Sequence, residues 1–67
     1  MPNVIGRRPR VARAELEGRG LQVNEQQVPV QNQGQVNRVV LQNPPPGSTV
    51  GTGSTVTIFV GVRFGNG

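Results

Sequence analysis

QNPPPGSTVGTGSTVTIFVG, Gln42 to Gly61, sets three consecutive prolines and three further glycines ahead of a clear strand pattern. Proline fixes its own φ, offers no amide hydrogen and pushes the preceding residue toward extended geometry. Asn43, Pro44 and Pro45 are therefore expected to be extended, and no helix passes through the stretch. Gly47, Gly51 and Gly53 give the backbone freedom to reverse, and from Thr55 onward Val56, Ile58 and Val60 recur at period two. The stretch reads as a strand that meets a rigid corner, wraps and returns antiparallel. Pro44, Pro45, Pro46 and Gly47 are thereby assigned to the fold, where a corner with few unfolded conformations benefits a small domain. PPPG also lacks the PxxP frame of a segment offered to another protein's groove.

Working back toward the N-terminus, Arg38 to Asn43 reads as a strand carrying Val39, Val40 and Leu41, and Gln31 to Asn37 as a polar loop. Leu21 to Val30, with Leu21, Val23 and Val28 between polar residues, is a further strand. Pro9 suits the first position of a helix, where its missing amide would be unpaired anyway, and the helix is expected to run to Arg19. Ala12 and Leu16 fall on one face with Val11 beside them, and Glu15 stands four residues before Arg19, a favourable spacing for an ion pair. Gly20 in left-handed geometry would stop the helix and place Leu16 and Leu21 in the contact positions of a Schellman motif. Arg8 falls at the N-cap, and Arg7, Arg8 and Arg10 oppose the helix dipole. The expected fold class is α+β: one α-helix packed on a three-stranded antiparallel β-sheet, with Pro2 to Gly6 as a short N-terminal edge strand in βαβββ order. One domain spans residues 1–62, and residues 63–67, Phe64 included, form a Gly-rich C-terminal tail.

The residue inventory excludes most catalytic chemistry. No cysteine and no histidine occurs among the 67 residues, so zinc, iron–sulfur and haem sites lack ligands and no cofactor is expected. The carboxylates are Glu15, Glu17 and Glu25, the serines Ser48 and Ser54, and aspartate, lysine and tyrosine are absent. No nucleophile–base pair can be assembled from this set, and Glu15 and Glu17 do not share a helix face, so the chain reads as non-enzymatic. A net charge of +4, carried by arginine alone as the basic residue, is compatible with anionic partners. No apolar run is long enough to span a membrane, and MPNVIGRR lacks the apolar core of a signal peptide. The opening and the closing Gly65-Asn66-Gly67 read as the borders of a module excised from a larger parent.

These residues resemble the PASTA domain family, the module attached to penicillin-binding proteins and to bacterial serine/threonine kinases. The resemblance is carried by Pro2-Asn3-Val4-Ile5-Gly6, Ala12 with Leu16, Gly20-Leu21, and then Gln42, Pro44, Pro45, Gly47, Val50, Gly53, Ser54 and Val56 at the family's spacing. It implies a helix on a three-stranded sheet, an extracytoplasmic place in the cell envelope through a membrane-anchored parent, and a non-catalytic role in cell-wall synthesis or sensing. Peptidoglycan fragments, β-lactam-like mimics or the parent's catalytic domain are the partners it implies. A bifunctional penicillin-binding protein is the preferred parent over a kinase ectodomain, in which several such modules usually stand in tandem. The arginine-only basic content points to a high-GC genome, and the resemblance implies a Gram-positive bacterium as its source. The chain departs from the family pattern at Arg8, where a serine is often found, and in the uncharged hairpins Asn32-Gln33-Gly34 and Gly51-Thr52-Gly53.

Two candidate surfaces follow from the residues. Arg7, Arg8, Arg10 and Arg13 gather guanidinium groups at the helix start, suited to carboxylate or phosphate, with a merely solvated basic face as the competing reading. Phe59 lies opposite Val56, Ile58 and Val60 on its strand, either as an anchor for the parent's catalytic domain or as cover for Leu41 or Val39. Gly53 and Ser54 join the proline corner as structural positions. A nucleic-acid module is the alternative from another class. It has two phenylalanines for stacking, no aromatic RNA-binding signature and no GxxG loop, and nucleic acid is not an expected partner.

Overall fold

A computed structural model of the chain describes residues 1–63. The expected tail, including Phe64, lies outside them from residue 64 onward. The elements are helix α1 (Pro9–Glu17), strand β1 (Gln22–Val30), a single 3-10 turn (Gln33–Gln35), strand β2 (Val39–Asn43) and strand β3 (Thr55–Arg63).

The strand order is β1-β3-β2, so the last strand in sequence is the central one. β2 and β3 are antiparallel, as the proline corner predicts, but β1 pairs with β3 in parallel. The sheet is therefore mixed, which corrects the expectation of a purely antiparallel sheet. β3 carries the richest β-branched and aromatic run and takes the position flanked on both sides, while the Gln- and Asn-rich β1 takes an edge where its polar groups meet water.

The parallel register is set by the helix stop. The Gly20 amide donates to the Glu17 carbonyl at 3.0 Å and the Leu21 amide to the Leu16 carbonyl at 3.2 Å, the two hydrogen bonds of a Schellman motif, with Gly20 at φ 82°. The Gly53 amide then donates to the Gly20 carbonyl at 2.8 Å and the Gln22 amide to the Ser54 carbonyl at 2.9 Å, which opens the ladder with Gln22 opposite Thr55. The regular helix ends at Glu17, so Arg19 falls in the turn and the expected Glu15–Arg19 pair does not form among the described residues. Gly20→Ala would hold a Cβ in left-handed geometry, 2.9 Å from the Thr52 Cγ2. The expected loss is about 1–2 kcal/mol, smaller for Gly20→Asn, and denaturant titration of the two variants measures it.

Val4, Ala12, Leu16, Leu21, Val39, Val56, Ile58 and Val60 form the buried core between α1 and one sheet face, whereas Val11 turns outward. A β-bulge between Val39 and Leu41 shifts the parity of β2: Val39 pairs with Val60 and Gln42 with Ile58, both core residues, while Leu41 pairs with Phe59. Gln42 thus points inward and Leu41 outward, which simple alternation from Val39 would not give.

Pro2 to Gly6 form no strand, and the βαβββ order becomes a helix followed by three strands. The segment runs beside β2 without forming a ladder, tied by the Gly6 amide donating to the Val39 carbonyl at 2.8 Å and by a side chain. The Val4 amide donates to the Gln42 Oε1 at 2.9 Å, and the Gln42 Nε2 donates to the carbonyls of Pro2 at 2.9 Å and Pro44 at 3.2 Å. Pro2 has no amide to offer a ladder, and Gly6, at φ 87°, turns the chain away into α1.

Candidate functional site

The helix start is where charge concentrates. Pro9 occupies the first helical position, Arg8 precedes it in extended geometry, and the Arg8 side chain makes no capping hydrogen bond. No acidic residue stands in the first turn, so Arg7, Arg8 and Arg10 place guanidinium charge at the positive end of the helix dipole. Such an arrangement costs stability in the free protein and favours an anion nearby. Arg8, Pro9, Arg10 and Val11 form one wall of an open cleft of about 520 Å³, with Glu25 of β1 and Asn37 on the other side. Asn37 holds a left-handed backbone, φ 61°, and its amide donates to the Gly61 carbonyl at 2.8 Å, which fixes this wall to the central strand.

The expected four-arginine cluster is divided. Arg8 and Arg10 line the cleft and Arg7 is exposed next to them, but Arg13 is engaged by Glu17 at 3.8 Å and by Glu25 at 3.5 Å. Those exposed pairs add little stability, at most about 1 kcal/mol each, yet they offset the Arg13 charge and hold Glu25. Arg38, which the sequence reading left out, joins the basic end: its Nη1 donates to the Gly6 carbonyl at 3.5 Å, and the neighbouring Val39 amide donates to the Arg7 carbonyl at 2.9 Å. Only the docking of residues 4–7 against β2 brings it there, and no spacing rule marks that contact.

The sheet face away from α1 carries the second candidate. Phe59 is half-buried, and Leu41, directly opposite it on β2, is 56% exposed. The proline corner is a structural unit: the Ser48 amide donates to the Pro45 carbonyl at 3.2 Å around Pro46 and Gly47, with Gly47 at φ 86°. Proline followed by a left-handed glycine is the pattern of a type II turn. The Ser54 amide and the Gly51 carbonyl, 3.1 Å apart, close a second turn of the same kind around Gly53, at φ 89°. The Asn43–Pro44 peptide bond is cis.

Comparison with protein families gives one match, a PASTA domain model covering residues 1–62. The chain belongs to the PASTA family. Comparison with curated proteins gives no match. PASTA domains are non-catalytic binding modules of penicillin-binding proteins and kinases; they are typically extracytoplasmic and bind peptidoglycan or β-lactam-like ligands. In this PASTA domain the residues that carry the family pattern serve the fold. Gly20-Leu21 and Gly53-Ser54 set the parallel register, Gln42 ties the N-terminal segment to β2, and Pro45 to Gly47 supply the turn that leads from β2 toward β3. The cleft of the PASTA domain includes Arg8, where the chain departs from that pattern, and Arg10. Among the described residues no group of three His, Cys, Asp or Glu side chains is placed to hold a metal ion, and no helix is long and apolar enough to cross a membrane.

Proposed function

We propose that the chain is an extracytoplasmic, non-catalytic module of a bacterial cell-wall enzyme, of the penicillin-binding kind rather than a kinase ectodomain, and that it captures an anionic wall ligand at the Arg8–Arg10 cleft. The observation that carries this reading is an open cleft lined by two guanidinium groups that make no ion pair among the described residues. A basic face kept only for solubility requires no concavity, whereas ligand capture does.

Titration of the labelled domain with sonicated peptidoglycan, muropeptides and a β-lactam, followed by amide chemical shifts, tests the proposal. Saturable shifts over Arg7 to Val11 and at Asn37 with at least one of these ligands, sonicated peptidoglycan with its anionic polymers still attached included, are the expected result, and flat spectra with all of them would remove it. Docking of the outer sheet face on the parent's catalytic domain is a second reading, favoured by the exposure of Leu41 beside Phe59. Phe59→Thr would then weaken association with that domain while leaving the cleft titration unchanged.

A further inference from the structure

We infer that the group this cleft selects is a phosphodiester, borne by a polyanionic chain or a lipid headgroup, rather than the sugar and peptide of a wall fragment. The inference rests on the ligand-capture reading above and gives it a ligand class. Arg7, Arg8, Arg10 and Arg38 stand at one end of the domain, and none of them makes an ion pair among the described residues. The carboxylate on the cleft, Glu25, is held by Arg13 at 3.5 Å, which limits its repulsion of an incoming anion. Arg38, whose Nη1 lies 3.5 Å from the Gly6 carbonyl, adds charge at the same end without lining the cleft.

The lining argues against a sugar. A pyranose ring is usually gripped by an aromatic plate or a broad apolar wall, and this cleft offers Pro9 and Val11 alone. The one described aromatic, Phe59, belongs to the central strand and faces away from the core. Arginine forks match the oxygen spacing of phosphate in charge-assisted, paired hydrogen bonds, and a phosphodiester keeps its charge throughout the physiological pH range. Ile5 and Val11, 43% and 47% exposed, stand in the same stretch of chain as the arginines and suit the aliphatic portions that separate or flank phosphate groups.

The test uses three probes on the labelled domain: a short synthetic poly(glycerol phosphate), vesicles of phosphatidylglycerol and phosphatidylcholine in equal parts, and peptidoglycan stripped of phosphate-bearing polymers. Saturable shifts at Arg7 to Val11 and Asn37 to Val39 with either phosphodiester probe are expected, weakening about tenfold between roughly 0.05 and 0.3 M salt. Response to the soluble polymer or to the vesicles identifies the source, and each supports the phosphodiester chemistry. Arg8→Gln with Arg10→Gln should reduce affinity about tenfold. Glu25→Gln should raise it about twofold, a gain that a folding defect cannot mimic. Binding of a phosphodiester untouched by the double arginine substitution would overturn the inference. Binding to stripped peptidoglycan alone would overturn it while leaving ligand capture standing, and no binding to any probe would overturn both.

Discussion

Gln42→Leu is expected to lower the unfolding free energy by about 3 kcal/mol, which for a domain of this size is a fall of roughly 15 °C in Tm. Gln42 is 5% exposed, and its amide serves three backbone groups drawn from two segments of the chain. Leucine matches the volume but satisfies none of them, so the buried Val4 amide and the Pro2 and Pro44 carbonyls lose their partner. Each buried group left unpaired costs about 1–3 kcal/mol, and only partial recovery through water is open to the more exposed carbonyls. Gln42→Glu separates hydrogen bonding from packing. Its carboxylate still accepts from Val4 but faces two carbonyls without a proton, and both burial and those carbonyls raise its pKa in the folded state. The sign follows from linkage: the protonated form's stability is fully present below the unfolded value of about 4.3 and is lost as pH rises through the raised folded value. Thermal unfolding should therefore show Gln42→Glu closest to the parent sequence near pH 4 and weakest near pH 7. A flat profile would mean that Gln42 acts by shape alone.

Gly61→Ala is expected to cost about 3 kcal/mol, the upper range for forcing extra volume into packed structure. A Cβ at Gly61 would overlap the Gln35 carbonyl oxygen and stand 3.0 Å from the Val30 Cγ2. The Gln35 atom belongs to the backbone of the 3-10 turn, which has little room to retreat. Its chain is fastened on both sides, by the Gln35 amide to the Asn32 carbonyl at 3.0 Å and by the Asn37 and Gly61 amides to the Gly61 and Arg38 carbonyls at 2.8 and 2.9 Å. Moving the turn aside breaks these bonds; keeping them forces β3 to shift. Hydrogen exchange distinguishes the outcomes, with fast exchange at Asn37 and Gly61 if the turn lifts and at the neighbouring β3 amides if the strand yields. In the first case the cleft loses its Asn37 wall, and ligand affinity should fall with stability. Unchanged denaturation would show that the turn gives way freely.

The residues that conveyed the fold in the sequence are those whose conformation is decided within a few positions. Pro9, the Gly20-Leu21 stop, the proline corner and the alternation after Thr55 each state a local geometry, and each element they mark is found within two residues of its expected limits. The direction of β1 was not legible in this way. The parallel pairing of β1 depends on backbone hydrogen bonds between Gly20, Gln22, Gly53 and Ser54, which are more than thirty residues apart in sequence. The bulge at Val40 is equally silent, since Val39, Val40 and Leu41 present three apolar residues in a row and alternation could begin at either face. For the cleft, the arginines near the helix start were legible as a charge cluster. Their division was not: Arg13 is drawn off by Glu25, twelve residues away, and Arg38 enters through the docking of residues 4–7.

The central position of β3 has a consequence for how the chain is made. β1 and β2 never pair with each other, and each finds its partner strand only in residues 55–63. While the polypeptide is still being synthesised, β1 and β2 wait for the strand that joins them, and isolated α1, at nine residues, is too short to persist alone. The sheet can thus close only after residues 55–63 have emerged.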